Sequence, residues 1–567
     1  MSFCYRNKGK GGAEETQGIF TEKRMIGKGE VVMVRKKVMA MVLAAVVSVS
    51  ALAGCGNTAA NSDQGAADTG TGEAAAASNE SGDESKENIT VSMFLQDSAD
   101  QAISTDLPII KEITKRTGVN FEFVPAPNTE DQFREKFNVT VASGDIPDIM
   151  VSTYRDDMMK VAEQGTFAVL NDYIDQYAPN LKKILDENPE YIRDLRASDG
   201  NIYFMPFIGA VRTFKVWMLR GDWLEKLGLD VPVTLDDWYN VLKAFKEQDP
   251  NGNGEADEIP YTTRNTQAGV LAFMEAFGIS GFEANEQFFI EDGKVKYAYT
   301  DPRCKDALEF INKLYNEGLI DPEYATNDTN VWLSRLTNEI SGSCQDTTAR
   351  AYALGTQVAS ANEGSDAYFV VVAPPKGPDG TQMTTSQMQP VRGYTAISAD
   401  SPYIKEIVQL FDYFYSEEGS LLMNFGIEGE TYTMENGVPT YTDIIAKDEQ
   451  GRSILSMLNI YGHREWAYTQ DIGYEDDLLD KTYVDYRNEM EQYIRPTIPA
   501  LSFTEDEREV INSTYTEIQT YKDEMINKFI MGKEPLDNFD KFVQTLKDMG
   551  IDDVLAVEQA AYDRYIR

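Results

Sequence analysis

Histidine is nearly absent from this chain. Its 567 residues contain one, His463, so a Ser-His-Asp triad or a multi-histidine metal site has almost nothing to be built from. Neither a Gly-x-Ser-x-Gly elbow nor a His-Glu-x-x-His motif occurs, and His463 reads as a loop or packing residue. Cysteine is scarce too, with four in the whole chain. Positive charge is in deficit, with 52 Lys and Arg against 93 Asp and Glu and a net charge of −41. A surface of that sign repels phosphate backbones, which argues against a nucleic-acid partner and fits the solubility charge of an exported protein. Long apolar runs are missing as well. The one candidate, residues 38–49, is shorter than the roughly 20 residues of a membrane-spanning helix.

Arg35, Lys36 and Lys37 precede that short run, and Leu52-Ala53-Gly54-Cys55 closes it. This is the charged, apolar, small-residue order of a secretory signal. The closing tetrapeptide resembles the lipobox of bacterial lipoproteins, whose cysteine is acylated and becomes the first mature residue. The resemblance implies a lipid anchor at Cys55 and an extracytoplasmic location at the cell membrane. Residues 1–32 are polar and mixed in charge, unlike a signal. Lys28-Gly29-Glu30 back-translates to a purine-rich ribosome-binding site upstream of Met33, so 1–32 are expected to be untranslated and 33–54 to be the signal peptide. Without residues 1–54 the chain keeps 43 basic and 89 acidic residues, about −46. Cys4 falls before that start and Cys55 is used by lipid, which leaves Cys304 and Cys344 as one disulfide or two buried thiols.

After Cys55, residues 57–87 hold no branched aliphatic or aromatic side chain. Such a segment cannot bury a core, so 55–87 reads as a lipidated cysteine and a disordered tether. The folded part opens on the alternating run 89–94, followed by a helix pattern at 107–117, a strand at 119–124, a helix at 132–142 and a buried strand at 148–151. This alternation predicts an α/β fold with a mostly parallel sheet. Ligands of such sheets gather outside the carboxyl ends of strands, which singles out the loop Ser152-Thr153-Tyr154-Arg155. Residues 238–246, 305–315, 405–415, 506–530 and 538–547 carry helical periodicity.

The sharpest chemical motif runs from Asp249 to Glu258, with oxygen side chains at alternate positions and glycines between them. That pattern lets a tight loop curl round a hard cation, and Asp and Asn are the donors Ca²⁺ prefers. An EF-hand would place Glu at the twelfth position, where Pro260 stands. The expected ligands are therefore the side chains of Asp249, Asn251, Asn253 and Asp257, the carbonyl of Glu255, and Glu258 as the bidentate closer. A plain polar turn is the alternative.

Several phrases in order along the chain resemble one family: Ala142-Ser143-Gly144-Asp145-Ile146-Pro147-Asp148-Ile149, Gly200-Asn201-Ile202-Tyr203, Asp222-Trp223-Leu224, Glu317-Gly318-Leu319-Ile320-Asp321-Pro322, Arg392-Gly393-Tyr394 and Gly426-Ile427-Glu428-Gly429. They are similar to the family 1 extracellular solute-binding lipoproteins of carbohydrate ABC importers, of the maltose-binding and alginate-oligosaccharide-binding type. The resemblance spans essentially the whole mature chain and extends to the calcium loop. It implies a two-lobed periplasmic-binding-protein-like (type II) fold, with hinged lobes closing over a ligand cleft. Lobe 1 would comprise 88–210 plus 393–445 and lobe 2 211–392 plus 446–567, joined by crossovers at 211–219 and 391–398. It further implies a monomer that captures an oligosaccharide and passes it to the transmembrane subunits of an ABC permease, without catalytic residues.

A sugar needs flat aromatics for its C–H face and planar polar groups for its hydroxyls. Matched to the family's arrangement, the candidates are Tyr154, Arg155, Trp217, Arg220, Gln345, Asp346, Arg392, Tyr394 and Trp466. Trp217 is equally well placed for a core, Arg392 for an inter-lobe salt bridge and Asp346 for a helix N-cap. Trp238 and Trp332 sit at helical spacing and read as core. Two other functions remain open on sequence: a ligand-sensing receptor for a membrane kinase, which would use the same hinge, and a secreted glycoside hydrolase, which would need a carboxylate pair.

Overall fold

A computed structural model describes residues 88–209, 215–264, 266–280, 287–347, 350, 354, 357–358, 360–361, 367–385, 389–448, 452–471, 481–495 and 497–567. The expected signal, the Cys55 anchor, the tether and the start of the first crossover, 211–214, lie outside these residues.

The strands, in chain order, are β1 (Ile89–Gln96), β2 (Val119–Ala126), β3 (Ile149–Ser152), β4 (Phe204–Ile208), β5 (Lys215–Arg220), β6 (Ile259–Tyr261), β7 (Phe288–Glu291), β8 (Lys294–Tyr297), β9 (Ser341–Thr347), β10 (Phe369–Val372), β11 (Thr384–Thr385), β12 (Val391–Ile397), β13 (Tyr432–Glu435), β14 (Val438–Tyr441) and β15 (Ile494–Arg495). Two sheets organise them. The first has the order β2-β1-β3-β12-β4, in which β1 pairs parallel with β2 and β3 while β12 runs antiparallel to β3 and β4. The second has the order β10-β5-β9-β6. Each sheet has its own apolar core, so the chain is an α/β protein of two lobes.

Local chemistry explains the early alternation. The helix Pro108–Thr117 begins with Pro in its first turn and buries Ile109, Ile110 and Ile113. It stops at Gly118, whose φ of 77° an L side chain rarely adopts, and β2 starts on the next residue. The expected helices at 132–142, 238–246, 305–315, 405–415 and 506–530 are present, the last as Glu505–Ile530 behind a Thr504–Glu507 capping box. In the first lobe, Asp148 accepts from the Ser92 backbone N–H (2.8 Å), Ser92 Oγ (2.7 Å) and Ser401 Oγ (2.6 Å). Burial opposes its ionisation, but these donors outweigh burial and hold the carboxyl below its usual range.

The expected lobe boundaries need two corrections. Residues 446–448 and 452–471 do not open the second lobe. Met457 and Leu458 pack with Phe425, Tyr432, Tyr441 and Ile445, while Trp466, Ala467 and Tyr468 belong to the first core. The backbone of this segment bonds along β4, with Ile208 N–H to Tyr468 C=O (2.9 Å) and Gln470 N–H to Ile208 C=O (2.8 Å). A strand edge recruits it, which a hydropathy pattern does not reveal. The second crossover, expected at 391–398, is β12 itself, embedded in the first sheet from Val391 onward. There Gly393 is required, because a Cβ would lie 2.6 Å from that of Phe207.

Candidate functional site

A cavity of about 630 Å³ opens between the lobes. Tyr154, the Arg155–Glu163 helix and Tyr394 wall it from the first lobe. Opposite stand Phe288, the segment 498–503, the first turns of the Glu505–Ile530 helix and Glu558. The helix after β3 starts where the sheet ends, so its first side chains project into the space beyond the strands.

Arg155 ties the two sides together. It is buried, and its guanidinium donates to the carbonyl of Leu501 (2.9 Å), Ser502 Oγ (2.6 Å) and the carbonyl of Asp194 (3.2 Å). Beside it, Arg508 donates to Glu163 across the lobes at 2.6 Å, and Tyr565 O–H donates to Asp194 at 2.8 Å. The half-buried ring of Tyr154 lies against Phe133 at 5.3 Å and under the Arg134 guanidinium at 4.4 Å. Phe288 and Tyr515 form a second aromatic pair, 5.5 Å apart, in the other wall. Tyr394 contributes a buried ring 5.4 Å from Phe204, and burial pushes its phenol up to about 12. Glu558 is the buried acid of this wall. Burial first, then the charges of Asp156 and Glu507, push its carboxyl up to about 7.

A second recess of about 260 Å³ sits at the carboxyl ends of β1 and β3, lined by Gln96, Ser98, Ser152, Thr153, Arg464 and Glu465 among others. Glu465 keeps solvent exposure but is surrounded by enough protein to push its carboxyl upward.

Of the nine expected ligand contacts, Tyr154, Arg155 and Tyr394 meet at the interlobe cavity. The others lie elsewhere. Trp217 is wholly buried in the second core, with ring centroids 4.7 Å from Phe273 and 5.0 Å from Trp238. Trp466 is buried in the first core beside Phe121 and Phe414, reaching only the edge of the smaller recess. A Trp on an apolar strand or loop satisfies a core and a sugar platform equally well in sequence, and packing decided for the core. Arg220 has no exposure and makes a bidentate pair with Asp222, both bonds at 2.7 Å. Asp346 pairs with Arg264 at 2.6 and 2.9 Å, and it is a strand residue rather than an N-cap. Gln345 is buried and donates to Glu275 at 3.3 Å. Arg392 donates to Gln470 at 2.8 Å with its guanidinium 5.2 Å from the Phe207 ring, inside the first lobe. Cys304 and Cys344 are separate buried thiols. His463 is buried with Nε2 2.8 Å from Tyr468 Oη, and burial pushes it down to about 3.

Sequence reasoning missed Phe288, Tyr515, the 498–503 segment and Glu558. The last had a signal: on the Ile551–Tyr565 helix the buried stripe runs Ile551, Val554, Glu558, Ala561, so an acid stands at an apolar position.

The loop from Asp249 to Glu258 is curled by its own side chains. Asp249, at φ 44°, accepts from the N–H groups of Gly252 (2.9 Å) and Gly254 (3.0 Å), and Asn251 and Asn253 both donate to Asp257 Oδ1 (3.3 and 3.1 Å). Glu258 Oε1 is buried without a hydrogen-bond partner, and burial, then Asp257 and Asp249, raise its carboxyl above the usual range. Among the described residues no three His, Cys, Asp or Glu side chains converge at metal-binding range. The amide oxygens of Asn251 and Asn253 would have to complete any donor set.

A model of the family described as bacterial extracellular solute-binding protein matches residues 96–420, more than half of the chain. The chain belongs to that family. It is 29% identical over 490 residues to the fructooligosaccharide ABC transporter substrate-binding protein FusA of Streptococcus pneumoniae serotype 4, covering 81% of this chain and 87% of that one. It is 26% identical to lipoprotein LipO of Bacillus subtilis, covering 91% and 96%. Among solved structures it matches alginate-binding protein AlgQ2, in a form without calcium ion, with a TM-score of 0.65 and 28% identity over 84% of this chain and 99% of that one. Among the described residues no helix is long and apolar enough to cross a membrane.

Proposed function

We propose that this protein is the substrate-binding lipoprotein of an ABC importer. It captures an oligosaccharide between its lobes and delivers it to the membrane permease. The observation that carries this reading is the interlobe cavity, which draws aromatic faces and polar groups from both lobes. A ligand touching both walls gains contacts in the closed arrangement that an open one lacks, so binding shifts the population toward closure. A micromolar dissociation constant corresponds to about −8 kcal/mol, within reach of a few stacked rings and a satisfied hydroxyl rim. The chain performs no chemistry on its ligand, and ATP hydrolysis belongs to the permease's nucleotide-binding subunits. Cys55 carries the lipid, and the protein acts as an extracytoplasmic monomer.

The loop at 249–258 holds a structural Ca²⁺ in this reading. Asp249, Asn251, Asn253, Asp257 and Glu258 supply side-chain oxygens, and Glu255 its carbonyl. The orphaned buried oxygen of Glu258 fits a hard cation, which would also neutralise the carboxylates that now crowd it. The relationship to alginate- and fructooligosaccharide-binding proteins supports the ligand class. A thermal-shift screen of neutral and acidic oligosaccharides with Ca²⁺ present, followed by a product assay on each hit, tests the function. Stabilisation without cleavage is the expected result, and hit-dependent hydrolysis would overturn it.

A further inference from the structure

Glu558 has an unusual position for a carboxylate. It is 8% exposed and lines the interlobe cavity, yet among the described residues nothing hydrogen-bonds or ion-pairs to it. The cations that could neutralise it are already engaged. Arg508 is bonded to Glu163, Arg564 to Glu507, Arg134 to Asp157 and Arg155 to the Leu501 and Asp194 carbonyls and Ser502. Lys160, the remaining cation of the cavity wall, is exposed to bulk water. The charges that do reach Glu558 are negative, Asp156 from the first-lobe wall and Glu507 from the adjoining helix.

Leaving a buried carboxylate without donors costs stability, so a partner arriving from outside would relieve it. We propose that the Glu558 carboxylate is the hydroxyl acceptor of the interlobe cavity and makes the site prefer neutral oligosaccharides to uronates, an inference that rests on the capture function proposed above. Sugar hydroxyls donate to both of its oxygens and supply the missing hydrogen bonds. A uronate would instead bring a second carboxylate toward the buried Glu558 and the exposed Asp156, and like charges repel. Arg508 and Arg134 offset this only in part, because their charges are already balanced by Glu163 and Asp157.

Isothermal titration of the purified full-length protein, its Glu558→Gln variant and its Asp156→Asn variant tests the inference. The probes are malto- and fructo-oligosaccharides against oligogalacturonates and alginate oligomers of matched length. A neutral series should bind, with uronates at least about ten-fold weaker, since a charged hydrogen bond is lost and a repulsion gained. Glu558→Gln should weaken the neutral ligand by about ten-fold and narrow the gap to uronates, and Asp156→Asn, an exposed change that leaves the fold alone, should narrow it further. Uronates binding as tightly as neutral sugars, or a preference unchanged in Glu558→Gln, would overturn this inference while leaving capture intact. Binding of neither class would overturn both.

Discussion

Replacing Glu558 with Gln should stabilise the protein, by an amount that grows as pH rises from 4.5 to about 7. The carboxyl is raised from 4.5 to about 7 in the folded chain by burial and by Asp156 and Glu507. Below pH 4.5 the group is protonated in both the folded and unfolded states, so it imposes no ionisation cost. As pH rises from 4.5 to about 7, the folded chain keeps a proton that the unfolded chain has released, and stability falls. Above about 7 the cost is constant. A gap of roughly 2.5 pH units corresponds to about 3 kcal/mol. Gln fills the same volume without a charge to desolvate, so the variant should match the parent near pH 4 and exceed it by up to about 3 kcal/mol near pH 9. Paired urea titrations of both proteins at several pH values measure this difference directly and cancel the titrating groups that do not interact with Glu558. A stability difference independent of pH, or a Glu558→Gln protein less stable than its parent at alkaline pH, would refute the reasoning. A more stable variant that binds its sugar less well is the trade-off expected when a functional site holds an unfavourable group.

Chelation should lower the melting temperature of the wild-type protein, and adding Ca²⁺ should restore it by mass action, whereas Glu258→Gln should show no such response; differential scanning fluorimetry checks both. Trp217→Ala should cost about 3–5 kcal/mol in chemical denaturation, because it empties a fully buried site between Trp238 and Phe273, while the order of preference among sugars stays unchanged. Arg155→Met removes the bonds to Leu501, Ser502 and Asp194, and should weaken ligand binding by about ten-fold and raise the radius of gyration in small-angle scattering.

Much of the frame was legible in the residues, because local signals and burial agree there. Pro108, the Ile109–Ile110–Ile113 stripe and Gly118 define a helix without help from tertiary contacts. The loop at 249–258 announces its curl through its Asn, Asp and Gly spacing. The cavity was legible only at Tyr154 and Arg155, placed by the end of β3, and at Tyr394 within β12. Trp217 and Trp466 misled because flat apolar surface serves a core as well as a sugar, and only packing separates the two. Arg220 and Asp222, two residues apart, form a bidentate pair, a local pairing that holds both away from the cleft. Residues 454–471 were assigned to the wrong lobe because their place depends on bonds to β4, more than 200 residues earlier in the chain. Glu558 shares its helix with Asp552, Asp553 and Asp563, and its one distinguishing mark was its position on the buried stripe.

The wall formed by 498–503 contributes no strand to either sheet, although it lines the cavity and receives Arg155. Its hold on Arg155 runs partly through the Leu501 main-chain carbonyl, which any residue provides. A side chain of this segment that carries no such contact, unlike Ile498 on the second core or Ser502 on Arg155 and the Arg196 carbonyl, can therefore change with that main-chain tie in place. A frame of this kind separates what must stay from what can vary. Two solid lobes can be inherited whole while one short strip of chain is rewritten, so that neighbouring lineages with the same skeleton come to draw on different nutrients.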